Sequence, residues 1–442
     1  MSATVLPPTC DVVVAGGGPA GSSAATLLQR AGLDVVLLEK AQHPRPQVGE
    51  SVLPHVWKFL DLLGVADAIR EEQFVKKMGG IIAWNDSLHQ ISFSEFGITG
   101  GSGLHVERDR FDEILLRHAE TEGVRVFEKV AAQDVDIDDD GVTVTYHDHR
   151  NAAKTEGAIR CRYLVDATGY QTLMASKCQS RKLVGKGGHY VGIWGYFRNA
   201  RFLGVDAHAY PDTDVHDVRP VTFVLSFADG WAWHIVLRGK TSVGLVINKD
   251  DVRKGKGKEG LEHYFLETCA GIPYLRDLLE GAEFIPGSLA VRPDYSYYNE
   301  TIAGDRFFCV GDAAGFVDPI FSQGVQAAFF NATVCAWAIE SILKRPQRAQ
   351  AYRRIYTNQV KQYYAFIRAI SFGHMDGEEG MDLALAQRLM RFLPENEREL
   401  ALAAAATTHR AENFLHLARQ DSTNTGTTHI PIRMKPLERL FI

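Results

Sequence analysis

The chain has 442 residues, 45% hydrophobic and 23% charged, enough apolar material for a large core shared among two or three structural regions. Its formal net charge of −6 argues against a nucleic-acid surface; no apolar stretch reaches transmembrane length and residues 1–10 lack the regions of a signal peptide. The six cysteines (Cys10, Cys161, Cys178, Cys269, Cys309, Cys335) are scattered with no Cys-x-x-Cys pair, which fits reduced thiols in the cytoplasm and neither a disulfide scaffold nor a metal site such as zinc.

In chain order, Asp11 to Gly21 reads as an apolar strand entering Gly16-x-Gly18-x-x-Gly21, followed by a helix, a second strand (Asp34 to Leu38) and an acid, Glu39. Gly16 makes the turn, Gly18 lets backbone approach a pyrophosphate, and Gly21 lets the helix pack on the strand. Pro19 and Ala20 complete the turn, and the phosphate sits at the positive end of the helix. Glu39 lies where a carboxylate accepts hydrogen bonds from a ribose hydroxyl. Together these residues predict a bound dinucleotide.

A helix is expected from about Pro54 to Leu63, and another over Leu104 to Ala119 with Phe111, Ile114, Leu115 and Leu116 on its apolar face. Val124 to Val130 and Val142 to Tyr146 read as paired strands, with Asp138-Asp139-Asp140-Gly141 as a turn. Tyr163-Leu-Val-Asp-Ala-Thr-Gly169 is a further apolar strand ending in a glycine turn. The β-branched and aromatic runs Gly188 to Phe197, Val221 to Phe227, Trp231 to Leu237 and Thr241 to Ile247 predict an inserted antiparallel sheet. A short buried strand then leads into Gly311-Asp312, and a long helix follows Gly324. Beyond Pro346 the pattern is helical, with Tyr352, Tyr356, Tyr363, Tyr364 and Phe366 expected mostly in packing.

The segment Phe308-Cys-Val-Gly-Asp-Ala-Ala-Gly315 favours FAD over NAD. A strand ending in Gly311-Asp312 puts a carboxylate beside a polyol chain and a helix N-terminus under a ring system that becomes anionic on reduction. The glycine fingerprint, Asp166-Ala-Thr-Gly169 and Gly311-Asp312 together resemble FAD-dependent monooxygenases. That resemblance implies an α/β protein: a Rossmann-like FAD-binding domain over 9–180 and 291–345, an inserted β-sheet substrate domain over 181–290 and a C-terminal helical region over 346–442.

Within that superfamily, four segments resemble the flavin-dependent halogenases, particularly those acting on phenols and pyrroles. They are Arg45-Pro-Gln-Val48-Gly-Glu50-Ser51, Phe74-Val-Lys-Lys77-Met-Gly79, Trp231-Ala-Trp233-His-Ile235 and Asp318-Pro-Ile-Phe-Ser322-Gln-Gly324-Val325. Asp294-Tyr-Ser-Tyr297 and His105-Val-Glu-Arg108 agree as well. The resemblance implies Lys77 as catalytic lysine, with Glu50 and Ser51, beside the flavin, as the other catalytic residues. It extends the cofactor-binding set to Lys40, Arg45, Val48, Arg108, Asp312, Gly324 and Val325, and assigns halide to Ser322 and Gly324. Trp231 and Trp233 would supply bulk between flavin and substrate. The chain departs from the pattern at Val236, where relatives carry a proline that bends the strand, and at Gln323, where many carry a small residue beside the halide.

The implied chemistry is oxidation of chloride or bromide through a flavin hydroperoxide, giving hypohalous acid that must be confined and aimed. A lysine can hold that acid by hydrogen bonding or carry the halogen as a haloamine, and desolvation favours the neutral amine the second route needs. The expected substrate is an electron-rich aromatic, either a small molecule or a carrier-tethered group. Asp166-Ala-Thr-Gly169 stands where NADPH-binding hydroxylases commonly show Ala-Asp-Gly, which points to a separate flavin reductase. The alternatives are an aromatic monooxygenase, a prenyl-lipid reductase and a non-enzymatic FAD module. The basic run Arg253, Lys254, Lys256, Lys258 reads as a solvated loop before a carrier-docking patch.

Overall fold

The strands Phe307–Cys309, Tyr163–Asp166, Val12–Ala15, Val35–Glu39 and Arg125–Glu128 lie side by side in that order, all parallel, with Ala303–Gly304 antiparallel at one edge. Val12–Ala15 and Val35–Glu39 are buried along their whole length, so each reads as a continuous apolar run, as a strand covered on both faces should. The computed structural model describes residues 5–84, 87–93, 102–151, 154–183, 190–255, 257, 259–373 and 433–434.

Helices Pro19–Arg30 and Gly324–Lys344 pack against this sheet. Gly324–Lys344 is long and apolar enough by composition to cross a membrane, but 72% of its apolar window is buried inside the protein. Ala332, Cys335, Ala338 and Ile339 belong to the main core. All six cysteines are free.

Two local expectations change. Val124 to Val130 is not one strand paired with Val142 to Tyr146. Lys129 adopts a left-handed φ of 58° and splits the run. Arg125–Glu128 joins the parallel sheet, while Val130–Ile137 starts the antiparallel three-stranded sheet with Val142–Asp148 and Thr155–Cys161. Alternation marks a strand but not its partner. The helix expected from Leu104 begins at Arg108, because Gly103–His105 is extended and pairs with both Ser51–Val52 and Val75–Lys77. The other expected helix runs over Val56–Leu63 and ends at Gly64 in the left-handed region.

Among the described residues the second large sheet has nine strands and contains the four expected ones, as Tyr190–Arg198, Thr222–Phe227, Gly230–Leu237 and Lys240–Asn248. It also recruits Gly79–Trp84 and Ser87–Ser92 from far earlier in the chain, with Thr222–Phe227 parallel to Gly79–Trp84. Ala290–Pro293 pairs with Tyr190–Arg198, and the chain re-enters the first sheet at Ala303–Gly304 and Phe307–Cys309. Helix Ala349–Gly373 follows the expected pattern beyond Pro346; of the remaining segment, the short strand Arg433–Met434 is described.

Candidate active site

Between the two sheets lies a cavity of about 620 Å³. Gly16, Gly18, Glu39, Lys40, Arg45 and Asp312 line it on the side of the parallel sheet, and Trp194, Trp231, Trp233, Val224 and Ile235 line it from the second sheet, with Tyr295 from the loop after Ala290–Pro293. Polar and charged on one side and aromatic on the other, it suits a nucleotide next to an apolar ligand.

The glycines fit the pyrophosphate cradle. A Cβ on Gly16 (φ +113°) would lie 2.2 Å from the Ala167 carbonyl oxygen, and one on Gly21 would lie 1.8 Å from that of Gly16. At Gly18 the nearest atom to an added Cβ is Arg45 Nη2 at 3.3 Å. Its backbone therefore faces open cavity, at the start of a helix whose first-turn N–H groups have no intrahelical partner. Glu39 Oε2 accepts from the Gly17 amide at 2.6 Å and Oε1 from the Ala41 amide at 2.8 Å. A carboxylate keeps further lone pairs after two such bonds, enough for a ribose hydroxyl.

Arg108 is buried and grips Asp112 through Nε at 2.8 Å and Nη2 at 3.0 Å. Its Nη1 donates to the Val48 carbonyl at 2.7 Å, pinning the loop that carries Val48, Glu50 and Ser51 into the cavity. Asp312 is buried, which raises its carboxyl to about 6 against the opposing pull of Arg108 and Arg292. Tyr297 donates to the Asp312 carbonyl at 2.8 Å, Tyr364 to Gly311 at 3.0 Å, and Tyr356 to Cys309. The helical tyrosines thus do more than pack: Tyr364 fixes the backbone of the Gly-Asp turn and Tyr356 the end of the strand that leads into it. Arg292 lines the cavity and stacks on Tyr170 at 4.8 Å from the ring centroid. No sequence motif singled it out; only the strand pairing Gly192↔Arg292 brings it here.

Lys77 and its neighbour separate cleanly. In the strand Val75–Lys77 the middle residue, Lys76, is exposed while Val75 and Lys77 point inward. Lys77 is 4% exposed, and its Nζ donates to Ser51 Oγ at 2.8 Å. Burial lowers its ammonium from 10.5 to about 7. Ser51 also meets Thr222 Oγ1 at 2.9 Å and receives the Ser322 hydroxyl at 2.9 Å. Ser51, Thr222 and Ser322 all line the cavity, so Lys77 stands one hydrogen bond behind its wall. Glu50 does not join this group. Its Oε1 accepts from the Tyr196 hydroxyl at 2.7 Å, and burial raises its carboxyl above the usual range. Thr222 escaped the sequence reading because nothing local marks a single hydroxyl at the start of an apolar strand.

Trp231 and Trp233 share one strand face and line the cavity, with ring centroids 5.9 Å apart. Trp233 Nε1 donates to Ser242 Oγ at 3.2 Å. Directly across the ladder, a Cβ on Gly244 would fall 2.1 Å from the Trp233 ring. Gly244→Ala is therefore expected to push the Trp233 indole toward the cavity and change product distribution while FAD titrates as in the parent protein. Unchanged products would show that the indole does not shape the pocket.

The two departures from the family pattern resolve differently. Val236 sits in an unbroken register with Lys240–Asn248, so the strand has no bend there. Gln323 is buried, its Oε1 accepts from the Tyr363 hydroxyl at 2.8 Å, and its side chain is not among those lining the cavity. Ser322, Gly324 and Val325 do line it, around the N-terminus of Gly324–Lys344. Arg253 and Lys254 pair with Asp250 and Asp251 inside their own short helix, while Lys256 and Lys258 lie outside the described residues.

Residues 9–197 match the family described as FAD binding domain. The chain is 36% identical over 340 residues to a tryptophan 2-halogenase of Chondromyces crocatus, covering 76% of this chain and 62% of that protein, which is therefore the longer of the two. It is 34% identical over 360 residues to the flavin-dependent halogenase armH5 of Armillaria mellea, covering 78% of this chain and 67% of the relative. This chain belongs to the flavin-dependent halogenase family. The solved structure of the myxobacterial chondrochloren halogenase CndH superposes with a TM-score of 0.75 at 26% identity, over 97% of this chain and 100% of that one. FAD is accordingly the dinucleotide of this family member, and the glycine cradle accommodates it.

Proposed function

We propose that this family member uses reduced FAD, oxygen and chloride or bromide to halogenate an electron-rich aromatic, a phenol or a pyrrole, free or tethered to a carrier. The observation that carries the reading is Lys77: an amine buried within the protein, hydrogen-bonded to a serine in the wall of a cavity that also holds the tryptophan pair. Once bound and reduced, FAD supplies the activated oxygen that oxidises halide. Gly16, Gly18, Pro19, Ala20 and Gly21 seat its pyrophosphate, and Glu39, Lys40, Arg45, Val48, Arg108 and Asp312 complete its site. The first-turn N–H groups at Gly324 and Val325, beside Ser322, hold the halide.

Lys77 then receives the oxidised halogen. With burial holding its ammonium at about 7, both the hydrogen-bonding cation and the nucleophilic amine are populated near neutral pH. Trp231 and Trp233 fill the space beside the cofactor, hinder direct oxygen transfer and exclude water. A separate reductase supplies the reduced flavin.

Purified protein given reduced FAD, oxygen, chloride or bromide and a panel of phenols, pyrroles and tryptophan is expected to yield halogenated phenol or pyrrole, read by mass spectrometry. Lys77→Ala should remove that product while FAD binding and peroxide formation persist. Hydroxylated product indifferent to halide would establish a monooxygenase instead, and a prenyl lipid returned with fewer double bonds a reductase. Halogenated tryptophan alone would retain the chemistry and overturn the substrate class.

A further inference from the structure

We propose that Thr222 and His105 form, with Ser51, a proton relay that serves Lys77; the proposal rests on the halogenase reading of that lysine. The small sheet of Ser51–Val52, Gly103–His105 and Val75–Lys77 pairs Ser51 and Val75 with His105, and Lys77 with Gly103, so three strands deliver the serine, histidine and lysine to one spot. Thr222 arrives from the second large sheet. The contacts are continuous: Lys77 Nζ to Ser51 Oγ at 2.8 Å, Ser51 Oγ to Thr222 Oγ1 at 2.9 Å, and Thr222 Oγ1 to His105 Nε2 at 2.9 Å.

Counting hydrogens gives this chain a direction. A hydroxyl accepts twice and donates once. Ser51 Oγ accepts from Lys77 and from Ser322, so its own hydrogen must go to Thr222. Thr222 then donates to His105 Nε2, which leaves the ring proton on Nδ1, a buried atom with no hydrogen-bond partner among the described residues. The titratable groups facing His105 are Lys77 and His234, with the Val236 backbone beside the ring. Burial and the Lys77 charge both disfavour a second proton, which keeps the imidazole neutral at rest.

In the working direction one Lys77 N–H bond breaks and its proton passes to Ser51. The serine hydrogen moves to Thr222 and the threonine hydrogen to Nε2, leaving a neutral amine and an imidazolium. The amine lone pair attacks the halogen of hypohalous acid; an N–halogen bond forms, the oxygen–halogen bond breaks, and the departing hydroxide takes an amine proton as water. Transfer of the halogen to the ring carbon returns the ring proton to the nitrogen, and the relay runs back from His105. No further oxidant or reductant enters.

The test uses the FAD-loaded protein with Thr222→Val, which removes the hydroxyl and keeps the shape, and Thr222→Ser, which restores it. Nitrogen NMR of labelled histidine is expected to find His105 as the Nδ1–H tautomer, with an Nε2 resonance that shifts in Thr222→Val. Halogenation by Thr222→Val should fall by about tenfold at pH 6, where the Lys77 ammonium predominates, with its acid limb moved upward, and Thr222→Ser should recover both. A proton on His105 Nε2, or a Thr222→Val enzyme with the parent rate and pH profile, would overturn the relay. If the parent protein makes no halogenated product, the functional reading fails, and the tautomer still decides the wiring. If Thr222→Val does not bind FAD, the parent tautomer and the Thr222→Ser profile decide it.

Discussion

Replacing Lys77 by methionine is expected to abolish halogenation and, in the same protein, to raise the unfolding midpoint at pH 7. Methionine fills a similar volume without charge, so the buried ammonium is what the substitution removes. The folded group titrates at about 7 against 10.5 for an ordinary lysine, and between those values the unfolded chain holds a proton that the native protein lacks. Native stability therefore rises with pH across that window, and below it the full penalty of the buried charge persists. A shift of this size corresponds to an upper bound of about 5 kcal/mol, so Lys77→Met should gain a few kcal/mol at pH 7 and almost nothing by pH 10.5. Urea unfolding of both proteins from pH 6.5 to 10.5 measures the difference. A gain that does not shrink with pH, or a loss at every pH, would mean that the lysine is an ordinary structural residue.

The second large effect is expected at Arg108. Arg108→Ala leaves Asp112, itself fully buried, with Arg45 at 3.5 Å as its remaining ion-pair partner among the described residues, and it frees the Val48 carbonyl. Truncating one partner of a buried pair costs about 3–5 kcal/mol. The loop from Val48 to Ser51 loses its anchor at the same time, so FAD affinity should fall together with stability. Arg108→Lys should recover little, because an ammonium cannot span both Asp112 oxygens and the carbonyl. FAD titration by fluorescence quenching, alongside thermal unfolding, tests both parts. Undiminished FAD binding by Arg108→Ala would sever the link between that arginine and the cofactor loop.

What the sequence made legible follows the range of the interactions involved. The fingerprint from Gly16 to Gly21 and the strand before it are local: Gly16 and Gly21 are required by an atom within a few residues or beside the adjacent strand, and the structure bears this out at Ala167 and Gly16. The tryptophan pair was equally readable, because strand alternation puts Trp231 and Trp233 on one face whatever lies opposite. Partners across the fold were not readable. Thr222, His105 and Ser322 surround Ser51 only because two separate sheets and a helix end converge there, and Arg292 reaches the cavity through an antiparallel pairing that no spacing announces. The split at Lys129 was missed for a related reason: a left-handed turn at a lysine carries no glycine to signal it. Glu50 shows the limit of motif transfer, since it neighbours Ser51 in sequence yet turns to Tyr196 rather than to Lys77.

The pairing of Thr222–Phe227 with Gly79–Trp84 has a practical consequence for recombining this scaffold with relatives. Val75–Lys77 belongs to the small sheet with Ser51–Val52 and Gly103–His105, but only Met78 separates it from Gly79–Trp84, so the ladder that carries the aromatic wall is tied directly to the strand that carries the amine. Swapping residues 181–290 alone for those of another halogenase would graft most of that ladder against foreign edge strands and displace the amine from the ring it should address. A chimera that also carries residues 75–92 keeps the two in mutual alignment, and the smallest portable unit for altering specificity is therefore discontinuous.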